Sequence, residues 1–298
     1  MGTLAALFVG DASWDATQRI ARIPAPDEKV WATDFAETSG GVAANAAVAC
    51  ARTGTPTRAL LRLGSDAAAA AIIASLGDTG VDVEADGGAG LSARATVLLE
   101  PHGEKRLLLF RGSGLYPSAE AARTVSLNAV GWVHTTLYDR AGAAELVGRC
   151  HAVGIPVSID LEPASFENDF AAVAPLLAGV AVVFCNDRAA DLLGDPVAIL
   201  LRAGAEAVVR SQGAAGAAWH DAASRRLAAA PPGPVLDTTG AGDCLAGWFV
   251  GERLQGRPPF EALLAAVHAA SLSCAGLGAN QSYPRRQDVA ASIMKGRA

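Results

Sequence analysis

The sequence predicts an α/β fold in which helices cover a mostly parallel central sheet and a small β insertion stands apart from it. From about residue 128, short apolar runs alternate with stretches of helical pattern. The runs are 132–135, 157–160, 180–185 and 207–210. Earlier in the chain, extended runs at 94–100 and 105–111 are joined by a Pro-His-Gly-Glu turn. This second pattern is typical of a hairpin, and we expect it in a separate sheet.

The elements of the first half follow from apolar runs and from the residues that end them. The range 4–9 is apolar and stops at Gly10-Asp11, which predicts a buried strand followed by a loop. Gly40-Gly41 precedes an alanine-rich segment that predicts a helix over 42–52. The same reasoning predicts a strand at 57–63 and helices at 67–76, 241–254 and 260–275.

Composition excludes several classes of protein. The 298 residues include 24 Lys and Arg against 30 Asp and Glu, a net charge of −6, which argues against a surface for nucleic acid. No apolar run approaches the roughly 18 residues of a membrane span, and the start of the chain lacks a secretory signal. Five cysteines form no C-x-x-C pair, so we expect neither zinc nor disulfides and place the protein in the cytoplasm.

The most informative stretch precedes the helix at 241–254. Gly240, Ala241 and Gly242 form a short loop whose backbone N–H groups can converge on an anion at a helix N-terminus. Asp243 follows them, where a carboxylate can take the proton of an attacking hydroxyl as a general base. The alternative is structural, because acidic residues in a first turn commonly cap helices and glycine-rich turns are ordinary connectors.

Two motifs in the right order resemble those of the ribokinase-like (PfkB) carbohydrate kinase family. The C-terminal one is the Asp-Thr-Thr-Gly-Ala-Gly-Asp run at 237–243. The N-terminal one comprises Gly40-Gly41, Ala43, Asn45, Ala46 and the run Ala51-Arg52-Thr53-Gly54. The resemblance covers nearly the whole chain. It implies a single domain over 1–298, a three-layer sandwich with lid segments near 12–36 and 93–112, and ATP-dependent phosphorylation of a small sugar such as ribose, fructose or a related keto-sugar.

The resemblance also implies roles for single residues. Asp243 is similar to the family's catalytic base, with Gly240, Ala241 and Gly242 as its anion hole. Three positions match residues that hold sugar hydroxyls in relatives: Asp15, Gly41 and Asn45. Without the resemblance, the favoured interpretations are structural: a loop cap for Asp15 and a solvated helix residue for Asn45.

On the nucleotide side the resemblance is less specific. The residues implied to lie beside ATP are Asn186, Ser211, Gly213, Gly216 and Asn280. A Gly-x-x-Gly pattern by itself is also a common hairpin turn. Three further residues, Asp237, Gly278 and Ser282, are implied to enclose a monovalent cation, so potassium dependence is expected.

Magnesium is expected with ATP, but the sequence departs from the family at the turn that organises it. Many relatives carry Asn-x-x-Glu there, whereas this chain has alanine at 189. Three carboxylates are candidates to support Mg²⁺ through water: Asp187, Asp160 and Glu162.

The lid hairpin is expected to close over the sugar and to exclude water. From it, Glu104, Arg106 and Arg111 are candidates to reach the substrate or the γ-phosphate, and their alternative is a solvated edge strand. A homodimer through the lid is expected.

Two other functions stay open, a nucleoside kinase of the same fold and a catalytically silent sugar-binding protein. The motifs of dinucleotide oxidoreductases, P-loop kinases and α/β-hydrolases are missing from the sequence.

Overall fold

Thirteen strands form two separate sheets in the computed structural model, which describes residues 4–101, 105–166 and 169–296. The strands are β1 (Ala5–Asp11), β2 (Ser13–Ile20), β3 (Ala32–Gly40), β4 (Thr57–Leu63), β5 (Val81–Gly87), β6 (Ala93–Leu99), β7 (Lys105–Phe110), β8 (Val130–Thr135), β9 (Val157–Asp160), β10 (Val182–Cys185), β11 (Ala207–Ser211), β12 (Ala217–Asp221) and β13 (Arg225–Ala228).

Eleven α-helices lie within the described residues. They are α1 (Val42–Arg52), α2 (Ala67–Gly77), α3 (Ala119–Thr124), α4 (Arg140–Ala152), α5 (Pro163–Phe166), α6 (Phe170–Val173), α7 (Asp187–Leu193), α8 (Pro196–Arg202), α9 (Ala241–Leu254), α10 (Pro259–Ser273) and α11 (Arg286–Lys295). Short 3-10 turns occur at Ala174–Leu177, Gly213–Ala215 and Asn280–Ser282. In the part of the chain that the structure describes, no helix is both long and apolar enough to cross a membrane.

The larger sheet has nine strands in the order β13-β12-β11-β10-β9-β8-β1-β4-β5. The strands from β11 to β5 run parallel, and β12 and β13 are added antiparallel at one edge. Because the carboxyl ends of parallel strands meet at one edge, the residues that end β1, β9, β10 and β11 face a common crevice.

Helices bury both faces of this sheet, and β1 shows how. Phe8 packs into a core with residues of α1, α9 and α10. Its neighbours Leu7 and Val9 pack on the opposite face with residues of α4, α7 and α8. Successive side chains of a strand point to opposite faces, so an uninterrupted apolar run fits a strand that is covered on both sides. The result is the expected three-layer α/β sandwich.

The smaller sheet is the lid, with strand order β3-β2-β6-β7. The hairpin pattern at 94–100 and 105–111 is confirmed by the antiparallel pair β6 and β7. One expectation was wrong in detail: the residues after Gly10-Asp11 do not form a loop. After Ala12 the chain continues directly into β2, which pairs with β3 and β6.

Candidate active site

Asn45 and Asp243 meet at the crevice, and each lies in the first turn of a helix. The Nδ2 of Asn45 donates a hydrogen bond of 2.8 Å to Oδ2 of Asp243. On the other side of Asn45, its Oδ1 accepts a 2.8 Å bond from Nδ2 of Asn280. Asn280 also donates to the carbonyl of Ser39 at 2.9 Å. Asn45 and Asn280 are buried, so this chain of amides fixes the orientation of the Asp243 carboxylate.

The two helices come together because α9 lacks side-chain volume where it crosses α1. Gly247 lies one turn below Asp243, and a Cβ at this position would stand 1.9 Å from the carbonyl oxygen of Ala46. Ala46 is itself the neighbour of Asn45. Glycine at 247 therefore permits the backbone contact that brings the start of α9 over the start of α1.

The Asp243 carboxyl keeps part of its surface open to the crevice but is surrounded by protein atoms. Desolvation raises its pKa to about 8, opposed by the Asn45 hydrogen bond and reinforced by the negative charges of Glu162 and Asp11. A carboxyl that titrates near neutrality is suited to accept a proton from an alcohol.

The loop before Asp243 presents free backbone donors. Gly240 has φ +73°, and its carbonyl accepts bonds from the Tyr283 hydroxyl at 2.7 Å and from the N–H of Cys244 at 2.8 Å. The bond from Cys244 is the first backbone hydrogen bond within α9. The N–H groups of Gly242 and Asp243 lie before it in the chain and therefore have no acceptor within the helix. A Cβ at Gly242 would meet nothing within 4 Å, which leaves open space in front of these donors. The helix dipole adds positive potential there.

The sugar-side candidates lie where the lid joins the main body. Asp15 is within β2, and its Oδ1 accepts a 2.5 Å bond from the Ser13 hydroxyl. Its pKa is raised to about 6, mainly by burial. A Cβ at Gly40 would stand 2.1 Å from Asp15 Oδ2, and Gly41 has φ +101° with its Cα close to the backbone of Ala12. Asp15 is thus a strand residue rather than a loop cap, and the buried Asn45 is not solvated.

Carboxylates cluster at the carboxyl ends of β1 and β9. Asp11 caps α1, accepting bonds from the N–H of Val42 at 2.9 Å and of Ala43 at 3.2 Å. Burial is the main cause that raises the pKa values of Asp160 and Glu162, and the negative charges of Glu162 on Asp160 and of Asp11 on Glu162 add to it. No group of three or more His, Cys, Asp or Glu that could hold a metal directly occurs in the described residues. These carboxylates suit a divalent cation held through water and phosphate oxygens.

The residues expected beside ATP lie along the same edge, where β10 and β11 end. Asn186 caps α7, since its Oδ1 accepts a bond of 2.9 Å from the N–H of Ala189. Ala189 is fully buried in the core, so this position points its side chain away from solvent. Ser211 ends β11, and Gly213 and Gly216 bound the tight turn into the antiparallel β12.

Asn280 is placed differently from the other nucleotide candidates. It was expected in the loop near adenine, but its buried amide bonds to Asn45 and Ser39. It therefore belongs to the network that orients Asp243. Sequence reasoning missed this role because 235 residues separate Asn45 and Asn280.

The three residues expected around a monovalent cation are adjacent in space. Asp237 Oδ2 accepts a 3.0 Å bond from the N–H of Gly278, and the Ser282 hydroxyl bonds to the carbonyl of Gly278 at 3.2 Å. Asp237 Oδ1 also accepts two bonds from Thr239, at 2.9 Å from its N–H and 2.6 Å from its hydroxyl.

From the lid, Lys105 reaches this group. Its Nζ donates a 2.9 Å bond to Oγ1 of Thr239, a contact that the sequence did not predict. The three residues of the lid hairpin that were expected to reach the substrate or the γ-phosphate are placed differently. Glu104 lies outside the described residues. Arg106 is exposed and its guanidinium contacts the carbonyl of Lys105 at 3.4 Å, while Arg111 lies exposed just beyond β7.

Comparison with known proteins agrees with this geometry. The model of the pfkB family carbohydrate kinases matches residues 5–286. A ribokinase of Arabidopsis thaliana is 27% identical over 304 residues, covering 95% of this chain and 79% of the relative. An ATP-dependent ribose-1-phosphate kinase of Halopiger xanaduensis is also 27% identical, covering 96% and 97%. The chain belongs to the PfkB family of carbohydrate kinases. It is a phosphotransferase that acts on a sugar hydroxyl.

Solved structures support the same fold. The structure of Arabidopsis thaliana ribokinase complexed with ribose and ATP has a TM-score of 0.81 and 24% identity, covering 98% of this chain and 99% of that one. A nucleoside kinase of Methanocaldococcus jannaschii has a TM-score of 0.81 at 18% identity, covering 99% and 100%.

Proposed function

We propose that this enzyme transfers the γ-phosphate of ATP to the primary hydroxyl of ribose. The observation that carries the proposal is the Asp243 carboxylate, held by Asn45 at the mouth of the Gly240–Gly242 loop with its pKa near 8. Ribose is preferred among the sugars because two relatives that align over nearly the whole chain act on ribose or on ribose 1-phosphate by name.

In the proposed reaction the sugar lies between the lid and the start of α1. Asp15 accepts hydrogen bonds from a vicinal diol, while the backbone at Gly41 allows close approach of the sugar. Asp243 takes the proton of the primary hydroxyl as its oxygen attacks the γ-phosphorus. The backbone N–H groups of Gly242 and Asp243 donate to the phosphoryl oxygens as negative charge spreads onto them.

Five features along the crevice would hold the nucleotide with magnesium. Asn186, Ser211 and the turn from Gly213 to Gly216 border the space that ATP would occupy. The carboxylates of Asp160 and Glu162 would support a hydrated Mg²⁺ through its water ligands. Bound Mg²⁺ neutralises phosphate charge and lowers the barrier to transfer.

A monovalent cation is also proposed, at Asp237, Gly278 and Ser282. These residues offer a carboxylate, a carbonyl and a hydroxyl, which are the hard oxygen ligands that K⁺ accepts. Activity in sodium-free buffer should rise several-fold when potassium replaces tetramethylammonium. Equal rates in the two buffers would contradict the cation site without affecting the kinase proposal.

The substrate proposal is tested by ADP release against a panel of acceptors. D-ribose should give the highest kcat/KM, above ribose 1-phosphate, fructose, a 2-keto sugar acid and adenosine. A clear preference for adenosine would establish the nucleoside kinase instead. Absence of sugar-dependent ADP release with every acceptor, together with sugar binding in calorimetry, would indicate the catalytically silent protein.

A homodimer through the lid is proposed as well. β7 is an edge strand of the lid sheet and exposes apolar side chains that monomeric proteins seldom leave in a row. They are Leu107, Leu108, Leu109 and Phe110. Light scattering should give twice the mass of the chain, and Leu108→Lys should reduce it to the monomer. A monomeric wild-type protein would contradict this.

A further inference from the structure

Among the lid residues that the structure describes, Lys105 is the one whose charged group bonds to the loop in front of Asp243. It spans from the first residue of β7 to Thr239, which directly precedes Gly240. The interaction is partly buried, and it connects two segments that are 134 residues apart. A lid strand therefore delivers a positive charge to the N-terminus of α9.

The Thr239 hydroxyl is well placed to hold this ammonium. Its own proton is donated to Asp237 at 2.6 Å, which leaves the oxygen lone pairs free to accept from Lys105. Asp237 is fixed in turn by the N–H of Gly278 at 3.0 Å. The lysine thus rests on a chain of hydrogen bonds that is anchored in the C-terminal loop.

The ammonium group of Lys105 can donate more hydrogen bonds than the one it makes to Thr239. An ammonium carries three N–H donors, and Thr239 is its only hydrogen-bond partner among the described residues. The positive charge of Lys105 also lowers the pKa of Asp243, against the larger effect of desolvation. The ammonium is therefore near enough to influence the carboxylate electrostatically.

We propose that Lys105 is a catalytic residue that binds the phosphoryl group during transfer, with Thr239 as its resting place when no phosphoryl group is present. The inference rests on the proposed kinase reaction. The sugar oxygen forms a bond to the γ-phosphorus while the bond from that phosphorus to the β–γ bridging oxygen breaks. Asp243 receives the hydroxyl proton, and ADP leaves with the bonding electron pair. Lys105 remains protonated throughout and donates to the non-bridging oxygens.

This arrangement also links lid closure to chemistry. Lys105 lies on a strand of the lid, so a movement of this strand away from the crevice would also take its charge away from the loop. A lid closed over the sugar then supplies the last donor, whereas an open lid leaves ATP without it. The same arrangement disfavours hydrolysis of ATP, because a lid that is open to water does not supply the donor of Lys105.

Kinetics of Lys105→Met test the proposal. We expect kcat to fall about 100-fold or more, the effect of losing one donor to a transition-state anion, while KM for the sugar changes less than about threefold. The pH at which kcat/KM falls on the acid side should move upward, because a charge that lowers the pKa of Asp243 is gone. Lys105→Arg, which keeps the charge, should recover part of the rate.

The matched control is Lys29→Met, which removes the same side chain from an exposed position between β2 and β3 of the lid. Its kcat should stay within about twofold of wild type, since a fully solvated charge contributes little. If Lys105→Met and Lys29→Met behave alike, the proposal is overturned. If the wild-type enzyme phosphorylates no acceptor, the kinase proposal fails instead.

A double-mutant cycle separates direct contact from an effect through Thr239. Lys105→Met should still cost about 100-fold in a Thr239→Val background, because the lysine acts on the phosphoryl group itself. If the cost of losing the lysine disappears in that background, the lysine acts only by positioning the loop, and the proposal is wrong.

A second readout does not depend on turnover. The chain has three lysines, Lys29, Lys105 and Lys295, so reductive methylation with ¹³C-formaldehyde gives few NMR signals, and Lys105→Arg assigns one of them. Adding ADP, Mg²⁺, aluminium fluoride and ribose should shift the Lys105 signal and leave the other two unchanged. An unchanged Lys105 signal in a complex whose formation calorimetry confirms would overturn the proposal.

Discussion

Asn45 Nδ2 lies 2.8 Å from Asp243 Oδ2, and this bond joins the first turns of two helices that are 198 residues apart in the chain. It does two things at once. It opposes the desolvation that raises the pKa of Asp243, and it turns one carboxylate oxygen toward α1, so that Asn45 occupies only one of the two oxygens. The reactivity of Asp243 therefore depends on how closely α1 and α9 pack.

Replacement of Asp243 by asparagine should lower kcat by about two orders of magnitude or more, since an amide cannot accept the hydroxyl proton. KM for ATP should change little, because the backbone donors of the loop stay in place. The measurement is steady-state ADP release, with circular dichroism to confirm folding. Near-normal turnover in the variant would remove Asp243 from the role of base.

The same substitution should stabilise the protein at alkaline pH. The folded-state pKa of Asp243 lies near 8 and its ordinary value is 3.8, so the folded protein holds a proton that the unfolded chain has released. Stability from this group is then present at low pH and is lost as the pH rises through about 8. We compare the free energy of unfolding of Asp243→Asn with that of wild type, both measured by thermal unfolding without ligands. The difference should change in favour of the variant by at least about 1 kcal/mol from pH 5 to pH 9. A gain that shrinks with rising pH would contradict the assigned shift.

Asn280→Ala should raise KM for the sugar about tenfold and leave KM for ATP nearly unchanged, because the lost amide holds Asn45, which in turn bonds to Asp243. The neighbouring Gln281→Ala, at an exposed position of the same turn, is the control and should match wild type. An increase confined to KM for ATP would instead indicate that Asn280 binds the nucleotide.

Gly247→Ala should destabilise the fold by about 2 kcal/mol or more, because its Cβ would meet the carbonyl of Ala46 and push α9 away from α1. Gly148→Ala is the matched control within α4, where a Cβ meets nothing within 4 Å. That change should stabilise the protein by about 0.5–1 kcal/mol. Chemical denaturation measures both. Equal behaviour of the two variants would show that the helices can separate without cost.

Much of the fold was predictable because its signals are local. The strand expected at 57–63 is β4, and the helix expected at 241–254 is α9. Each is marked by an apolar run and by the residues at its ends. β2 was expected only as part of a lid segment near 12–36, with a loop at its start, because its polar sequence, Ser-Trp-Asp-Ala-Thr-Gln-Arg-Ile, is only partly buried and lacks the apolar run of a core strand.

The candidate site was predictable only in part. Asp15, Asn45 and Asp243 were found through motif resemblance, and spacing alone favoured a structural explanation for each of them. The contact of Lys105 with Thr239 had no signal in the sequence, since nothing local relates a lid lysine to a threonine 134 residues later. Contacts of this kind arise only from the tertiary arrangement of the two sheets.

The lid leaves the main body after Ala12 and returns to it at Gly41, and these two points touch. Asp15, the proposed contact to the acceptor, lies on the segment between them, whereas the proposed base and its anion loop lie at the start of α9. In this proposal, acceptor recognition and chemistry occupy separate segments of the chain. Exchange of the strand segments between those two points offers a route by which such an enzyme can acquire a new sugar while keeping the same way of moving phosphate.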